Sequence, residues 1–226
     1  MVEDWYSYRA PSLVVGHGEI TGMSLVNLHV LEETDYGCDA FTTSTLARVQ
    51  VGNLAWQWQK QLVFVRLQPS FVTDPIVVNR FRNVLTAWRP HYLANNPVLF
   101  HADLQGEPFA MFEHDAGRSL ESVFGSLVPK APLARSTAEQ LVDALYLGLR
   151  SRHELGFAHG AVGLDRIAIT DGGVTLGIGT PWDPSARPED DLARAEQVSR
   201  QLLAMSRTSA APQGAWLELS ARLRPR

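Results

Sequence analysis

The sequence predicts an α+β fold, because runs typical of strands come first and helical patterns come later. β-Branched and aromatic residues are concentrated in residues 12–68 and 97–113, and amphipathic helical patterns follow from about residue 118. Strands that precede helices, rather than alternate with them, are typical of this class. At 226 residues, with 45% hydrophobic and 19% charged residues, the chain can bury a globular core.

Two apolar runs and one interrupting helix stand out in the first half. The runs Leu62-Val63-Phe64-Val65 and Phe109-Ala110-Met111-Phe112 predict strands. Between them, Asp74 suits a helix cap and Pro75 suits the first helical position. The apolar residues that follow at helical spacing are Val77, Val78, Phe81, Leu85 and Trp88.

Two further helices are predicted in the second half. The first begins at Ser136, where Glu139 would complete a capping box, and ends near Gly156. Its apolar stripe consists of Leu141, Val142, Leu145 and Leu149. The second opens at Pro188, with acidic residues that suit the positive end of the helix dipole. Its predicted buried face consists of Leu192, Ala195, Val198 and Leu202. Residues 125–135, 180–188 and 206–213 are predicted loops.

Charge and cysteine content narrow the classes of function. A formal net charge of −4, with arginines clustered only at Arg222, Arg224 and Arg226, gives no reason to expect a nucleic-acid partner. Cys38 is the only cysteine, which excludes an intrachain disulfide and a cysteine-based metal site. The start lacks the layout of a signal peptide, and no apolar run has membrane-spanning length. We therefore expect a cytoplasmic protein without a membrane span.

Four segments, taken together, resemble the protein kinases. Residues 167–176 predict a β-hairpin around a glycine-rich turn, and His159 to Ile167 before it is similar to the family's H-R-D-L-K-P-x-N-I. Upstream, residues 111–120 resemble the hinge, 62–67 resemble the strand with the V-A-I-K lysine, and 74–82 resemble the helix that carries the lysine's glutamate partner. The resemblance implies a two-lobed protein-kinase-like fold with a reduced helical second lobe.

The resemblance also implies a division of the chain. Residues 1–40 would be an N-terminal extension whose strands add a layer or a docking edge to the first lobe. Residues 41–113 would form the kinase-like first lobe, and 114–226 a shortened second lobe. The stretch 179–188 is too short for a full activation segment, so a substrate-binding platform is not expected.

At the catalytic positions that the resemblance assigns, the chemistry of phosphoryl transfer is missing. Arg66 replaces the phosphate-binding lysine, and Val84 replaces its glutamate partner. Ala161 replaces the aspartate that orients the nucleophile. Gly163 stands for the catalytic-loop lysine, and Arg166 stands for the asparagine that binds magnesium. We therefore expect no catalytic residue, no metal site and no cofactor.

The remaining nucleotide-binding parts are also altered. Gly177-Ile178-Gly179 replaces the metal-binding D-F-G, and the phosphate-loop position, residues 39–46, contains no glycine. Phe64 replaces the alanine that contacts adenine, which predicts a closed, apolar cleft. Asp103, Asp165 and Asp171 are the carboxylates that could compensate, but the combined losses argue against it.

Two residues match structural positions of the family. His159 corresponds to a structural histidine, although alone it could suggest a general base. Asp191, with Asp190 as the neighbouring candidate, corresponds to an aspartate that braces the catalytic-loop backbone; the alternative is a first-turn charge stabilised by the helix dipole. Trp56 and Trp58 share one strand face, which indicates either packing or a protein-binding anchor.

These observations predict a pseudokinase that acts as a protein-binding scaffold or allosteric regulator. The expected partner is a protein such as a Ser/Thr kinase, a phosphatase or a subunit of an envelope complex. One alternative is an atypical phosphotransferase or nucleotide-binding protein. Another is a structural subunit of a larger assembly.

Overall fold

The computed structural model describes residues 27–52, 57–89, 91–104, 107–114, 117–126, 133–170 and 173–207. The chain divides into two compact units. Unit 1 comprises Met1–Tyr92 and Val98–His114, and unit 2 comprises Leu93–Pro97 and Asp115–Arg226. The predictions for Trp56, Asp171 and the C-terminal arginines fall outside the described ranges. Within those ranges, no helix combines the length and apolar character needed to cross a membrane.

The described residues of unit 1 form an antiparallel five-stranded sheet and one helix. The strands are β1 (Asn27–Cys38), β2 (Thr42–Gly52), β3 (Gln57–Leu67), β4 (Leu99–Asp103) and β5 (Phe109–Glu113), in the order β1-β2-β3-β5-β4. The two predicted strands are confirmed as parts of β3 and β5, which pair with Phe64 opposite Met111. β1 pairs with β2 along its length, so this sheet starts inside the range 1–40 that the sequence assigned to an extension.

The helix of unit 1 is α1 (Pro75–Trp88), and its predicted start and stripe are confirmed. Asp74 caps it, because the Asp74 side chain accepts hydrogen bonds from the backbone N–H groups of Ile76 and Val77. At its other end, the Trp88 ring packs edge-on against Phe112 of β5, with 5.0 Å between ring centroids. The apolar stripe thus fastens α1 to the sheet.

Unit 2 is mainly helical. Its elements in chain order are β6 (Arg118–Ser119), α2 (Leu120–Ser126), β7 (Leu133–Ala134), α3 (Arg135–His153), a 3-10 helix (Leu164–Arg166), β8 (Ile167–Thr170), β9 (Gly173–Leu176), α4 (Pro188–Ala204) and β10 (Ser206–Arg207). The predicted hairpin is confirmed as β8 and β9. The stripes of α3 and α4 share one core with the hairpin, which includes Leu141, Leu145, Leu149, Ile167, Leu176, Ala195, Val198 and Leu202.

Three local expectations for unit 2 are wrong. α3 begins at Arg135 without a side-chain cap, and Glu139 forms an ion pair with Arg135 at 2.8 Å instead of a capping box. Leu192 is 45% exposed, because the helical period that turns Asp191 and Ala195 inward places Leu192 on the outer face. Two predicted loop stretches contain β7 and β10, which form a short parallel pair.

Candidate functional site

In unit 2, a short loop, residues 158–161, follows α3 and carries the histidine of the H-R-D-like stretch. The His159 backbone N–H donates to Asp191 Oδ2 at 2.6 Å, and Nε2 of its ring lies 2.9 Å from the carbonyl oxygen of Gly177. The ring Nδ1 accepts from the Ala161 N–H at 3.2 Å. Because a carbonyl only accepts and an N–H only donates, these partners select the neutral tautomer protonated at Nε2.

Electrostatics favour the same neutral state. Burial lowers the pKa of His159 well below 6.5, and the positive charge of Arg152 acts in the same direction. The histidine is fully buried and both ring nitrogens have protein partners. This arrangement favours a structural role for His159 over that of a general base, which needs a free nitrogen facing its substrate.

Asp191 lies in the first turn of α4 and is 1% exposed. Its Oδ1 accepts from the Gly160 N–H at 2.9 Å, and its Oδ2 accepts from the His159 N–H and lies 3.0 Å from His153 Nε2. A carboxylate in the first turn of α4 thus accepts from two backbone N–H groups of the loop 158–161. The neighbouring Asp190 is exposed.

Arg152 of α3 is a buried cation that sequence reasoning missed. Its Nη1 and Nη2 donate to the carbonyl oxygens of Ile178 and Gly177, both at 2.6 Å, and its Nε donates to Asn96 Oδ1. Burial lowers the pKa of Arg152 to about 9, against the attraction of Asp191, so the side chain is still charged at neutral pH. The sequence did contain a signal for the burial of Arg152, because this residue continues the buried stripe of Leu145 and Leu149 at helical spacing.

The segment 177–180 lies directly against the loop 158–161. The Gly177 N–H donates to the Arg166 carbonyl at 2.6 Å, and the Thr180 N–H donates to the His159 carbonyl at 2.8 Å. Gly179 has φ +70°, and a Cβ built there would lie 2.3 Å from the His159 carbonyl oxygen. Only glycine allows this close approach in a left-handed conformation.

The other predicted positions of unit 2 lie on the 3-10 helix or just before it. Ala161 is partly buried, and Gly163 immediately precedes the 3-10 helix. The Arg166 side chain is half exposed and forms an ion pair with Asp165, with 3.0 Å between Nε and Oδ2. Among the described residues, no group of three or more His, Cys, Asp or Glu side chains is placed to hold a metal ion.

In unit 1, Phe64 and Arg66 of β3 share one face of the sheet. Phe64 is 6% exposed and packs in a cluster with Ala47, Val49, Leu62 and Met111. The guanidinium carbon of the exposed Arg66 lies 5.8 Å from the centroid of the Phe64 ring, a cation–π distance. Val84 is 2% exposed and lies among the apolar residues of α1. Its apolar side chain cannot form an ion pair with a cation.

The turn between β1 and β2 is closed by its own acidic residue. Asp39 Oδ1 accepts from the backbone N–H groups of Phe41 at 2.7 Å and Thr42 at 2.8 Å, and its Oδ2 accepts from the Thr42 hydroxyl at 2.6 Å. These amides therefore bind an internal carboxylate. An aspartate side chain commonly accepts from backbone N–H groups two residues further on, so Asp39 was the available sequence signal for this Asx turn.

Comparison with known proteins identifies the fold. No protein-family model and no curated protein matches the sequence. Among solved structures, a Mycobacterium tuberculosis PknI kinase domain matches with a TM-score of 0.58 and 14% identity, covering 95% of this chain and 87% of that one. A point mutant of the same domain matches with a TM-score of 0.58 and 16% identity, over 85% and 82%. This chain has a protein-kinase-like fold.

The sequence resemblance placed most of the altered positions in three segments of this fold. These are β3, α1 and the stretch from loop 158–161 to residue 179. The predicted α+β class and kinase-like architecture are therefore confirmed. Identities of 14–16% indicate a shared fold; a kinase-like fold alone does not specify an activity.

Proposed function

We propose that this chain is a pseudokinase, a cytoplasmic, catalytically inactive kinase-like protein that acts by binding another protein. The observation that carries the proposal is the segment 177–179, which has no carboxylate and whose Gly177 and Ile178 carbonyls accept from Arg152. In kinases the matching D-F-G segment supplies an aspartate to magnesium. Here a guanidinium holds the segment, and no side chain in it can bind a divalent cation.

The catalytic-loop positions of unit 2 support the same proposal. Ala161 cannot accept a proton from a nucleophile, and Arg166 would repel a metal ion rather than bind it. The nearest carboxylate in sequence, Asp165, is ion-paired with Arg166. Magnesium and a base act together in phosphoryl transfer, so losing both removes the reaction and not merely part of its rate.

The kinase-like positions of unit 1 also support the proposal of an inactive protein. Arg66 keeps a positive charge, but Val84 cannot form the ion pair that orients the family's lysine. The Phe64 ring is buried on the sheet face where an alanine would leave room for adenine. The Asp39 carboxylate already accepts from backbone N–H groups of the turn at the phosphate-loop position. Its negative charge there repels phosphate.

The proposed mode of action is scaffolding or allosteric control. Without a reaction to catalyse, such a protein can influence others only through its surfaces, and the resemblance suggests a Ser/Thr kinase, a phosphatase or an envelope-complex subunit as partner. We expect the untagged protein, purified from its own cells, to co-elute with a stoichiometric second protein. Elution as a free single chain under gentle conditions would contradict this part of the proposal.

The inactive site is tested directly with nucleotide. We expect no labelled phosphate transfer from ATP and magnesium, and no saturable thermal shift up to about 1 mM ATP, the upper end of common KM values. A catalytically active kinase is the positive control. The Asp39→Gly variant should also fail to bind ATP, because it leaves Val84 and the segment 177–179 unchanged.

Two outcomes would contradict the inactive site. One is a saturable shift with the wild-type protein, which would show that nucleotide still binds. The other is phosphate incorporation that disappears in Asp165→Asn, which would assign the chemistry to this chain and to that carboxylate rather than to a contaminating kinase.

A further inference from the structure

We propose that Arg152 is an internal lock that keeps the segment 177–180 in one conformation whether or not a ligand is present. This inference goes beyond the loss of catalysis, because an inactive segment could still move. It concerns a conformational property of unit 2: the part of the fold that corresponds to the kinase metal-binding segment is held by a cation belonging to the protein itself.

The guanidinium joins two parts of the chain that are far apart in sequence. From α3 it donates to the side chain of Asn96 and to the carbonyls of Gly177 and Ile178. The planar fork of an arginine can serve acceptors on two sides at once, whereas an ammonium group acts as a point charge. All three bonds are charge-assisted, and they are donated by a side chain that is 0% exposed.

The segment is also held by its own backbone. The Leu176 N–H donates to the Asn95 carbonyl at 2.7 Å, next to the Asn96 that accepts from Arg152. The Gly177 and Thr180 N–H groups donate to Arg166 and His159. Moving the segment would thus break backbone bonds together with two of the three arginine bonds, and it would leave two donors of the buried Arg152 charge without their acceptors, which is costly.

The Asn96 side chain extends the lock to the segment 93–97. Its amide nitrogen donates to the Gly148 carbonyl at 3.0 Å while its oxygen accepts from Arg152. Asn95 repeats the pattern one residue earlier, since its amide nitrogen donates to the Ala144 carbonyl at 3.1 Å. The acceptor of Arg152 is therefore itself fixed on α3, so the guanidinium has a rigid frame from which to hold the segment 177–180.

Hydrogen exchange of the full chain tests the lock, with and without magnesium and ATP. In the wild type, the hydrogen-bonded amides of Leu176, Gly177 and Thr180 should exchange as slowly as those of the buried part of α3, and the nucleotide should leave them unchanged. In Arg152→Lys they should exchange roughly 10- to 100-fold faster, because one or two charge-assisted bonds are lost. Amides of β3 and β5 should keep their wild-type rates.

Arg150→Lys is the matched control. Arg150 lies on the same helix, but its side chain is 77% exposed and pairs with Glu154 on the surface. This variant should exchange like the wild type. Equal exchange of 176–180 in Arg152→Lys and the wild type would overturn the lock, and so would a uniform increase throughout unit 2, which would make Arg152 an ordinary core residue.

If Arg152→Lys does not fold, measurements on the wild type can still overturn the lock. Exchange of 176–180 at the rate of surface loops would overturn the lock, and so would protection that appears only with magnesium and ATP. Failure of the proposed function has a different signature, since it shows as phosphate transfer or a nucleotide-dependent thermal shift while the segment stays slow without ligand.

Discussion

Replacing Asp191 by alanine should lower the free energy of unfolding by about 3–5 kcal/mol, because several buried groups would lose their hydrogen-bond acceptor at once. The backbone N–H groups of His159 and Gly160 would lose their acceptor inside the protein. His153 would lose its partner, and the buried Arg152 would lose the negative charge that offsets its desolvation. Each buried group left unsatisfied costs about 1–3 kcal/mol.

The Asp190→Ala variant is the control that measures the helix-dipole contribution separately from the buried hydrogen bonds of Asp191. Asp190 is in the same first turn of α4 but is exposed. Its loss should cost about 0.3–1 kcal/mol, the range of a surface charge near a helix end. Urea unfolding of both variants is the measurement, with the m-value checked for two-state behaviour. Similar losses for the two aspartates would mean that the braced loop contributes nothing beyond the dipole.

Replacing Gly179 by alanine should cost roughly 2–5 kcal/mol, the sum of left-handed strain and overpacking. The new Cβ would lie 2.3 Å from the His159 carbonyl oxygen and 2.7 Å from its ring, so the loop 158–161 or the segment 177–180 must move. The Thr180 to His159 backbone bond, which lies beside this contact, would be strained in either case.

Gly156→Ala is the control for strain without collision. Gly156 has φ +82°, close to that of Gly179, but a Cβ there meets nothing within 4 Å. Its alanine variant should lose only about 1–2 kcal/mol, from the backbone conformation alone. Thermal and urea unfolding of both variants give the comparison. If Gly179→Ala loses no more than Gly156→Ala, the two segments are not in the close contact described above.

Features that depend on neighbours in sequence could be predicted. α1 follows from Asp74, Pro75 and an apolar stripe, all within a few residues of one another. The hairpin of β8 and β9 follows from two short runs and a turn. These elements could be predicted because hydrophobic periodicity and turn chemistry act over short distances along the chain. The kinase-like fold was predicted from the resemblance of four segments to kinase motifs.

Features that depend on distant residues needed the tertiary structure. The partners of Asp191 lie more than thirty positions away, and Arg152 reaches Asn96 across 56 positions, which no local pattern encodes. β1 pairs with β2 in the sheet, whereas the sequence predicted only that strands of residues 1–40 would add a layer or edge to the first lobe, without their partner or register. Leu192 was wrongly predicted as buried. An apolar side chain can also lie on the exposed face of a helix, and only the neighbouring elements show which face is covered.

The sequence by itself determined the α+β class and the main predicted elements, because these depend on composition, periodicity and spacing. The resemblance of its segments to the kinase family assigned the kinase-like positions. Only the tertiary structure decided how the segment 177–180 is held. Its anchor is a buried cation, and a cation is stable inside a protein only where folding brings enough acceptors around it.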